Sequence, residues 1–315
     1  MSAVLVADGI DEGLTWHHGD PMREQRTMLA GGGQLSLSNR PVLQITGPDR
    51  LGWLHSLTSQ HLTGLADGES TTALVLDPNG RIEHVLHGVD SVAEETFWVW
   101  TEPGRGTELA GWLDRMRFMM RVEVTLRDDL ELVWGGRDVV APEQAVATRH
   151  SGVADGLEHL VPRGTILDGA DPVGTWAFEA LRIAAGVPRI GLDTDHKTIP
   201  NELGLLGTHL DKGCYRGQET VARVHTLGRP PRRLVQLHLD GSMEALPEPG
   251  TTLELDGRAV GFVGSAQRHH ELGPIALGLV KRNVAVDAVL QADGISAAQE
   301  ALVDPEVGLH VRPRL

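Results

Sequence analysis

Lys212-Gly213-Cys214-Tyr215-Arg216-Gly217-Gln218-Glu219 is the stretch of this chain best equipped for chemistry. It holds the only cysteine and the only tyrosine among 315 residues, and one of three lysines. Thiolate is the nucleophilic form of cysteine, and cations such as Lys212 and Arg216 favour it when they turn towards the sulfur. Gly213 and Gly217 free the backbone to approach a ligand. The plainer alternative is a small apolar side chain with no chemistry, and no distinctive Cys-His nucleophile motif accompanies Cys214. The charge is also unusual. The chain carries a formal net charge of −15, yet Lys212 to Arg233 holds six basic residues (Lys212, Arg216, Arg223, Arg229, Arg232, Arg233) against one acid, Glu219. That segment points to an anion. Arg229, Arg232 and Arg233 read equally as a carboxylate clamp or as a solvated domain junction.

Glu202 is the second candidate. It lies in Thr198-Ile199-Pro200-Asn201-Glu202, a turn-rich stretch between apolar segments. An ionised carboxylate only accepts hydrogen bonds and can take two in parallel, so it suits the paired N–H donors of an amino-heterocycle. The competing reading is a solvated loop acid. His84 and His87 are poor metal ligands, because three-residue spacing on a strand puts them on opposite faces. No metal site is expected.

Composition narrows the class. One cysteine excludes an intramolecular disulfide framework and a multi-cysteine zinc or iron–sulfur site, and a reducing cytoplasm is the natural setting. The first 13 residues lack a basic stretch followed by a long apolar core, so no signal peptide is expected there. No apolar run nears the ~18 residues of a membrane helix. The negative balance argues against direct nucleic-acid binding, which needs a basic surface.

The elements that must position these residues follow from periodicity. Residues 1–33 read as irregular. Val42-Leu43-Gln44-Ile45 reads as a strand, and Asp49 as the N-cap of a helix carrying Leu51, Leu54 and Leu57. Thr72 to Leu76 and Arg81 to Val89 are strands around an Asp77-Pro78-Asn79-Gly80 turn. Phe97 to Trp100, Val122 to Leu126 and Leu130 to Trp134 are further strands. Leu109, Trp112, Leu113 and Met116 share one helical face. Asp171-Pro172 reads as the start of a helix that ends at Gly186 and Pro188. Helices and strands mix without strict alternation, which favours α+β. From about residue 230 the texture is all β, with a hairpin at Asp256-Gly257 and one candidate helix at Ser296 to Leu302. Two domains are expected, residues 1–229 (α+β, in two intertwined subdomains) and a β-barrel over 230–315.

Lys212 to Glu219 resembles the signature of the YgfZ family of folate-binding proteins, K-G-C-[FY]-x-G-Q-E, at every fixed position. Leu181 to Asp193 is similar to the L-R-x-x-A-G-x-P-x-x-G-x-D stretch shared with the glycine-cleavage T-protein. Thr198 to Glu202 resembles the T-x-P-x-E turn that follows it. Leu54 to Gln60, Gly261 to Val263 and Ala276 to Val280 resemble further segments of that fold. The resemblance implies a ring of two α+β units and a C-terminal barrel around a tetrahydrofolate cavity. It implies that Glu202 meets the pterin and that Cys214 is the functional thiol. Lys212, Arg216 and Arg229 are then expected to hold the folate's anionic end. The family supports iron–sulfur enzymes and acts on tRNA modification through one of them, so iron–sulfur client or assembly proteins are the expected partners.

One departure bears on activity. The T-protein carries a catalytic aspartate in G-x-I-x-D-D, and the corresponding run here is Gly80-Arg81-Ile82-Glu83-His84-Val85. Glu83 is one residue away, and on a strand that slip reverses the face. The leading expectation is a folate-binding protein that supports iron–sulfur cluster assembly or repair. The alternatives are a folate-dependent aminomethyl or one-carbon transferase and a non-catalytic RNA- or protein-binding adaptor.

Overall fold

The computed structural model describes residues 3–306. The chain divides into two compact units. The first contains the residues up to Val75, His84–Phe178 and Asp211–Tyr215. The second contains Leu76–Glu83, Glu179–Leu210 and the residues from Arg216 onward. The chain passes between the units five times, the last time between Tyr215 and Arg216.

The first unit opens with a two-stranded ribbon, β1 (Val4–Leu5) and β2 (Thr15–His17), and a helix, α1 (Pro21–Leu29). Residues 1–33 are thus not all irregular. Asp20 caps α1 by accepting from the Arg23 N–H at 2.9 Å, and Pro21 occupies the first helical position. β3 (Gln34–Ser36), β4 (Val42–Thr46), α2 (Arg50–Leu57), β5 (Ser70–Leu76), β6 (Ile82–Ser91), β7 (Thr96–Trp100), α3 (Gly106–Arg115) and β8 (Glu123–Leu126) follow. β9 (Leu130–Gly135), β10 (Ala147–His150) and β11 (Leu157–Pro162) complete the strands of this part. One sheet has the order β5-β6-β7-β4-β8 and the other β10-β11-β9-β3.

The five-stranded sheet buries Leu43, Ile45, Val75, Leu86, Phe97 and Val99 against Trp53 and Leu54 of α2 and Leu109 and Leu113 of α3. That apolar burial is the main term holding α2 in place, roughly 1.5–3 kcal/mol for each large side chain. A two-point buried ion pair adds direction, with Arg50 Nε and Nη2 each 2.8 Å from the Asp90 carboxylate. Asp49 stands at the N-cap position of α2 but makes no cap bond. Its carboxylate is taken by the Arg121 N–H at 2.9 Å and the Arg121 guanidinium at 2.6 Å, a stronger, charge-assisted contact.

α4 (Thr175–Ala184) starts later than Asp171-Pro172 predicts. The Gln34 N–H donates to the Asp171 carbonyl and the Val173 N–H to the Gln34 carbonyl, both at 2.9 Å, so this stretch runs extended beside β3. The Gly174 N–H is then held by Glu24 at 2.8 Å, and helix begins only beyond it. The other end behaves as expected. Gly186 has φ +67°, its N–H donates to Ile183, and the Val187 N–H donates to Arg182, which closes the helix in the two-bond manner of a glycine C-terminus.

In the second unit, a single-turn 3₁₀ helix (Pro200–Leu203) and α5 (Gln218–Leu227) precede the barrel strands. These are β12 (Arg232–Leu239), β13 (Thr252–Leu255), β14 (Arg258–His269), β15 (Gly273–Lys281), β16 (Leu290–Ala292) and β17 (Ile295–Ala301). They close in the order β12-β15-β14-β13-β16-β17. Asp256 and Gly257, both at positive φ, turn the expected hairpin. Ser296 to Leu302 is no helix. Ile295 and Ala297 face inward at period two, and β17 pairs with β12 to close the barrel. Val235, Leu237, Leu253, Val263, Val280 and Leu290 fill the interior.

Candidate functional site

The signature stretch is split between the units. Its first half, through Tyr215, belongs to the first unit. Lys212 is half-buried and does not present its ammonium to a ligand. Lys212 Nζ donates to the carbonyls of His55, of Thr58 at 2.5 Å and of Gln60 at 3.0 Å. These oxygens lie at and just beyond the C-terminus of α2, where carbonyls lack partners along the helix and the dipole is negative. Nζ also sits 5.0 Å from the centre of the Tyr215 ring. Burial pushes the Lys212 amine down to about 8. Cys214, between Lys212 and Tyr215, is a free thiol exposed to solvent. The alternative of a buried apolar cysteine does not hold.

The second half of the stretch opens α5. Gly217 stands before the helix at φ +82°. A Cβ there would lie 2.5 Å from the Asp77 carbonyl and 2.8 Å from Gly80 Cα. This glycine is required by close approach to the 77–80 turn as well as by its backbone angle. The turn is held by Asp77, whose carboxylate accepts from the Asn79 and Arg81 N–H groups at 2.8 Å. Arg216 pairs with Glu83 at 3.1 Å on a partly exposed surface.

Glu202 is fully buried in the 3₁₀ turn of the second unit. Pro200 at the first position and Gly204 at φ +68° set the turn's two ends. The Glu202 carboxylate reaches back to the Ile199 N–H at 3.1 Å. It also meets Arg232 at two points, Nε to Oε1 at 2.8 Å and Nη2 to Oε2 at 2.9 Å. Glu202 is therefore an acceptor already occupied by an arginine, not a solvated loop acid. The same guanidinium holds Asp195 at 2.8 and 2.9 Å and lies over the Phe262 ring, 5.8 Å from its centre. Burial would raise the Asp195 carboxyl, but the bonds from Arg232 and Thr198 outweigh it and hold it far below its ordinary value.

Above this pair opens a cleft of about 720 Å³, lined by Glu202, Lys197, Arg229, Arg232, Lys281 and Arg282 among others. Arg229 pairs with Glu306 at 2.6 Å. Lys281 donates to the Ala259 carbonyl and Arg282 to the Arg229 carbonyl. Their charges meet backbone oxygens, which leaves the cleft positive. Arg233 does not join it. That side chain is buried and bonds the Val284 carbonyl at 3.0 Å and Gln299 at 2.9 Å, inside the barrel's own framework. The sequence segment from Lys212 to Arg233 is thus not one basic patch. Lys281 and Arg282 lie beyond it, and only the barrel's return along β15 brings them to Arg232.

On β6, His84 is buried, and burial lowers its pKa; Val85 lies in the core. His87 bonds Thr72 at 3.2 Å. No group of three or more His, Cys, Asp or Glu side chains suited to a metal occurs among the described residues. No helix among them is long and apolar enough to cross a membrane.

Residues 232–303 match the glycine cleavage T-protein C-terminal barrel domain. The glycine cleavage system aminomethyltransferase T of Bartonella henselae superposes with a TM-score of 0.78 at 19% identity, covering 98% of this chain and 96% of that one. The tRNA-modifying protein YgfZ of Cronobacter sakazakii is 27% identical over 254 residues, 70% of this chain and 75% of that protein. Its namesake from Edwardsiella ictaluri is 33% identical over 130 residues, 39% of each chain. This chain spans 66% of the length of a chloroplast relative from Arabidopsis thaliana and 61% of an aminomethyltransferase from Chromobacterium violaceum. The fold is that of the glycine-cleavage T-protein. Within that fold, the chain is similar to proteins named YgfZ and carries the complete Lys212 to Glu219 signature stretch.

Proposed function

We propose that the protein binds tetrahydrofolate or a one-carbon derivative of it and serves tRNA modification. Its contribution is to support the assembly or repair of iron–sulfur clusters. The observation that carries this reading is the sole thiol of the chain, exposed at Cys214 within a complete K-G-C-Y-R-G-Q-E stretch on a T-protein fold.

The residues of the second unit suit a folate. Its glutamate end bears two carboxylates, and Arg229, Lys281 and Arg282 would hold them by charge-assisted hydrogen bonds. The buried Glu202–Arg232 pair would form the polar floor against which the heterocycle orients. Folate, when bound, supplies a carrier for one-carbon units. Lys212 is engaged by α2 carbonyls, whereas Arg216 and Arg229 pair with Glu83 and Glu306 on partly exposed surface and would exchange those partners for the ligand's carboxylates. Aminomethyl transfer as in the T-protein is disfavoured, because His84 and Val85 stand where that chemistry has its aspartates.

Calorimetric titration with tetrahydrofolate tests the ligand. Saturable binding by the wild type, weakened at least tenfold in Arg229→Ala/Lys281→Ala, is expected. Absence of binding by the wild type would sink the assignment. Rescue of iron–sulfur enzyme activity in a strain lacking the protein tests the role, with wild type active and Cys214→Ala inactive. Equal rescue by both would remove the thiol from the function.

A further inference from the structure

Lys212 and Tyr215 bracket the two residues Gly213 and Cys214, and they are joined through one ammonium group. The three N–H donors of that ammonium match three carbonyl acceptors, those of His55, Thr58 and Gln60. The Tyr215 ring covers a further side of the ammonium. The cation is saturated and has no donor left for a substrate. Its neighbours in the fold, His55 and His61 stacked edge-to-face at 4.8 Å, belong to α2 and the loop after it. No carboxylate partner of Lys212 is among them. A half-buried lysine without a carboxylate costs desolvation, and burial is the cause that lowers its pKa. The return on that cost is mechanical. The ammonium ties residue 212 to a helix end that is fixed by the sheet core, through Trp53 and Leu54.

We infer that Lys212 and Tyr215 are positioning residues that clamp the Gly213–Cys214 segment to the C-terminus of α2 and so fix the direction in which the thiol is presented. The clamp explains the spacing of the two residues. The importance of the presented thiol rests on the function proposed above; the clamp itself does not.

The test reads the loop directly and needs neither folate nor activity. Amide hydrogen exchange is followed by mass spectrometry in the full-length wild type, Lys212→Met, Tyr215→Leu and Tyr215→Phe. A nitroxide on Cys214, the only thiol, reports its mobility in the same four proteins. Lys212→Met and Tyr215→Leu are expected to speed exchange over residues 211–217 at least tenfold, to narrow the nitroxide spectrum, and to leave exchange in the barrel unchanged. Tyr215→Phe is expected to match the wild type in both readouts. Unchanged loop exchange and nitroxide mobility in Lys212→Met would overturn the clamp. So would acceleration spread equally over both units, which would mark Lys212 as a general stabilising residue. A loosened loop in Tyr215→Phe would refute the ring-face role. Folate titration of the same proteins is read separately, so the clamp and the ligand assignment can fail independently.

Discussion

Arg232 stands between two carboxylates, and the deeper of them, Glu202, has no surface exposed to solvent. The pair is held at two points and sits where β12 begins, so it links the 3₁₀ turn to the barrel within the second unit. Its geometry separates what the turn needs for folding from what a ligand would need.

Glu202→Ala leaves Arg232 half-paired and mostly out of solvent. Losing one partner of a buried ion pair costs about 3 kcal/mol at the low end of the usual range, and Asp195 keeps the loss at that end. Urea unfolding should show a lower midpoint with an unchanged slope. Glu202→Gln, which keeps the shape, should lose less. A stability equal to wild type in Glu202→Ala would show that Asp195 alone satisfies Arg232.

Asp195 gives a pH signature. Its folded-state pKa lies below its unfolded value, so its contribution is complete above the ordinary aspartate range, near pH 4, and drains away as pH falls. Asp195→Asn should therefore be less stable than wild type at pH 7, and the gap should close progressively below about pH 4. Thermal melts between pH 3 and 7 measure it. A gap independent of pH would mean that the carboxylate's charge contributes nothing.

Gly217 should tolerate no side chain. Alanine at a left-handed position costs about 1–2 kcal/mol for the backbone alone, and its Cβ would meet the Asp77 carbonyl at 2.5 Å. Gly217→Ala should lower the melting temperature, whereas alanine at Gly213, with no neighbour nearer than His55 Nε2 at 3.9 Å, should change it little. Equal melting of the two variants would contradict the close approach.

Cys214→Ala should leave stability within about 0.5 kcal/mol of wild type, as expected of an exposed site away from the core. A fall of several degrees in melting temperature would assign the thiol a packing role. Stability near wild type with lost rescue would place its value in chemistry.

Much of this was legible in the sequence, for identifiable reasons. β4, β7, α3 and the Asp256-Gly257 hairpin carry local signals, and each forms at or within a few residues of its expected place. Ser296 to Leu302 misled because its alanines suit a helix, and only pairing with β12 decides for a strand. Asp49 and Asp171-Pro172 look like caps by type, yet Arg121 and Gln34, distant in sequence, claim their groups. α1 has a readable start in Asp20-Pro21, a capping acid followed by proline, but the short helix beyond it lacks an apolar stripe. The positive cleft was half visible. Arg229 and Arg232 stand in the basic segment, but Lys281 and Arg282 arrive through a strand pairing that no local pattern encodes. Scarcity and charge mark Lys212 in the sequence, while its neighbours, backbone carbonyls at and just beyond the end of α2, leave no trace in side-chain types.

Barrel closure by β17 has a consequence for synthesis of the protein. β12 needs β15 on one edge and β17 on the other. At about 5–20 residues per second, the ribosome releases β17 several seconds after β12. Throughout that interval one edge of β12 waits with its backbone groups unpaired, a template for strand pairing with other chains. The last of the described strands is therefore the one that removes the open edge, and changes that slow translation near Ile295–Ala301 should lower the yield of soluble protein without altering the finished fold.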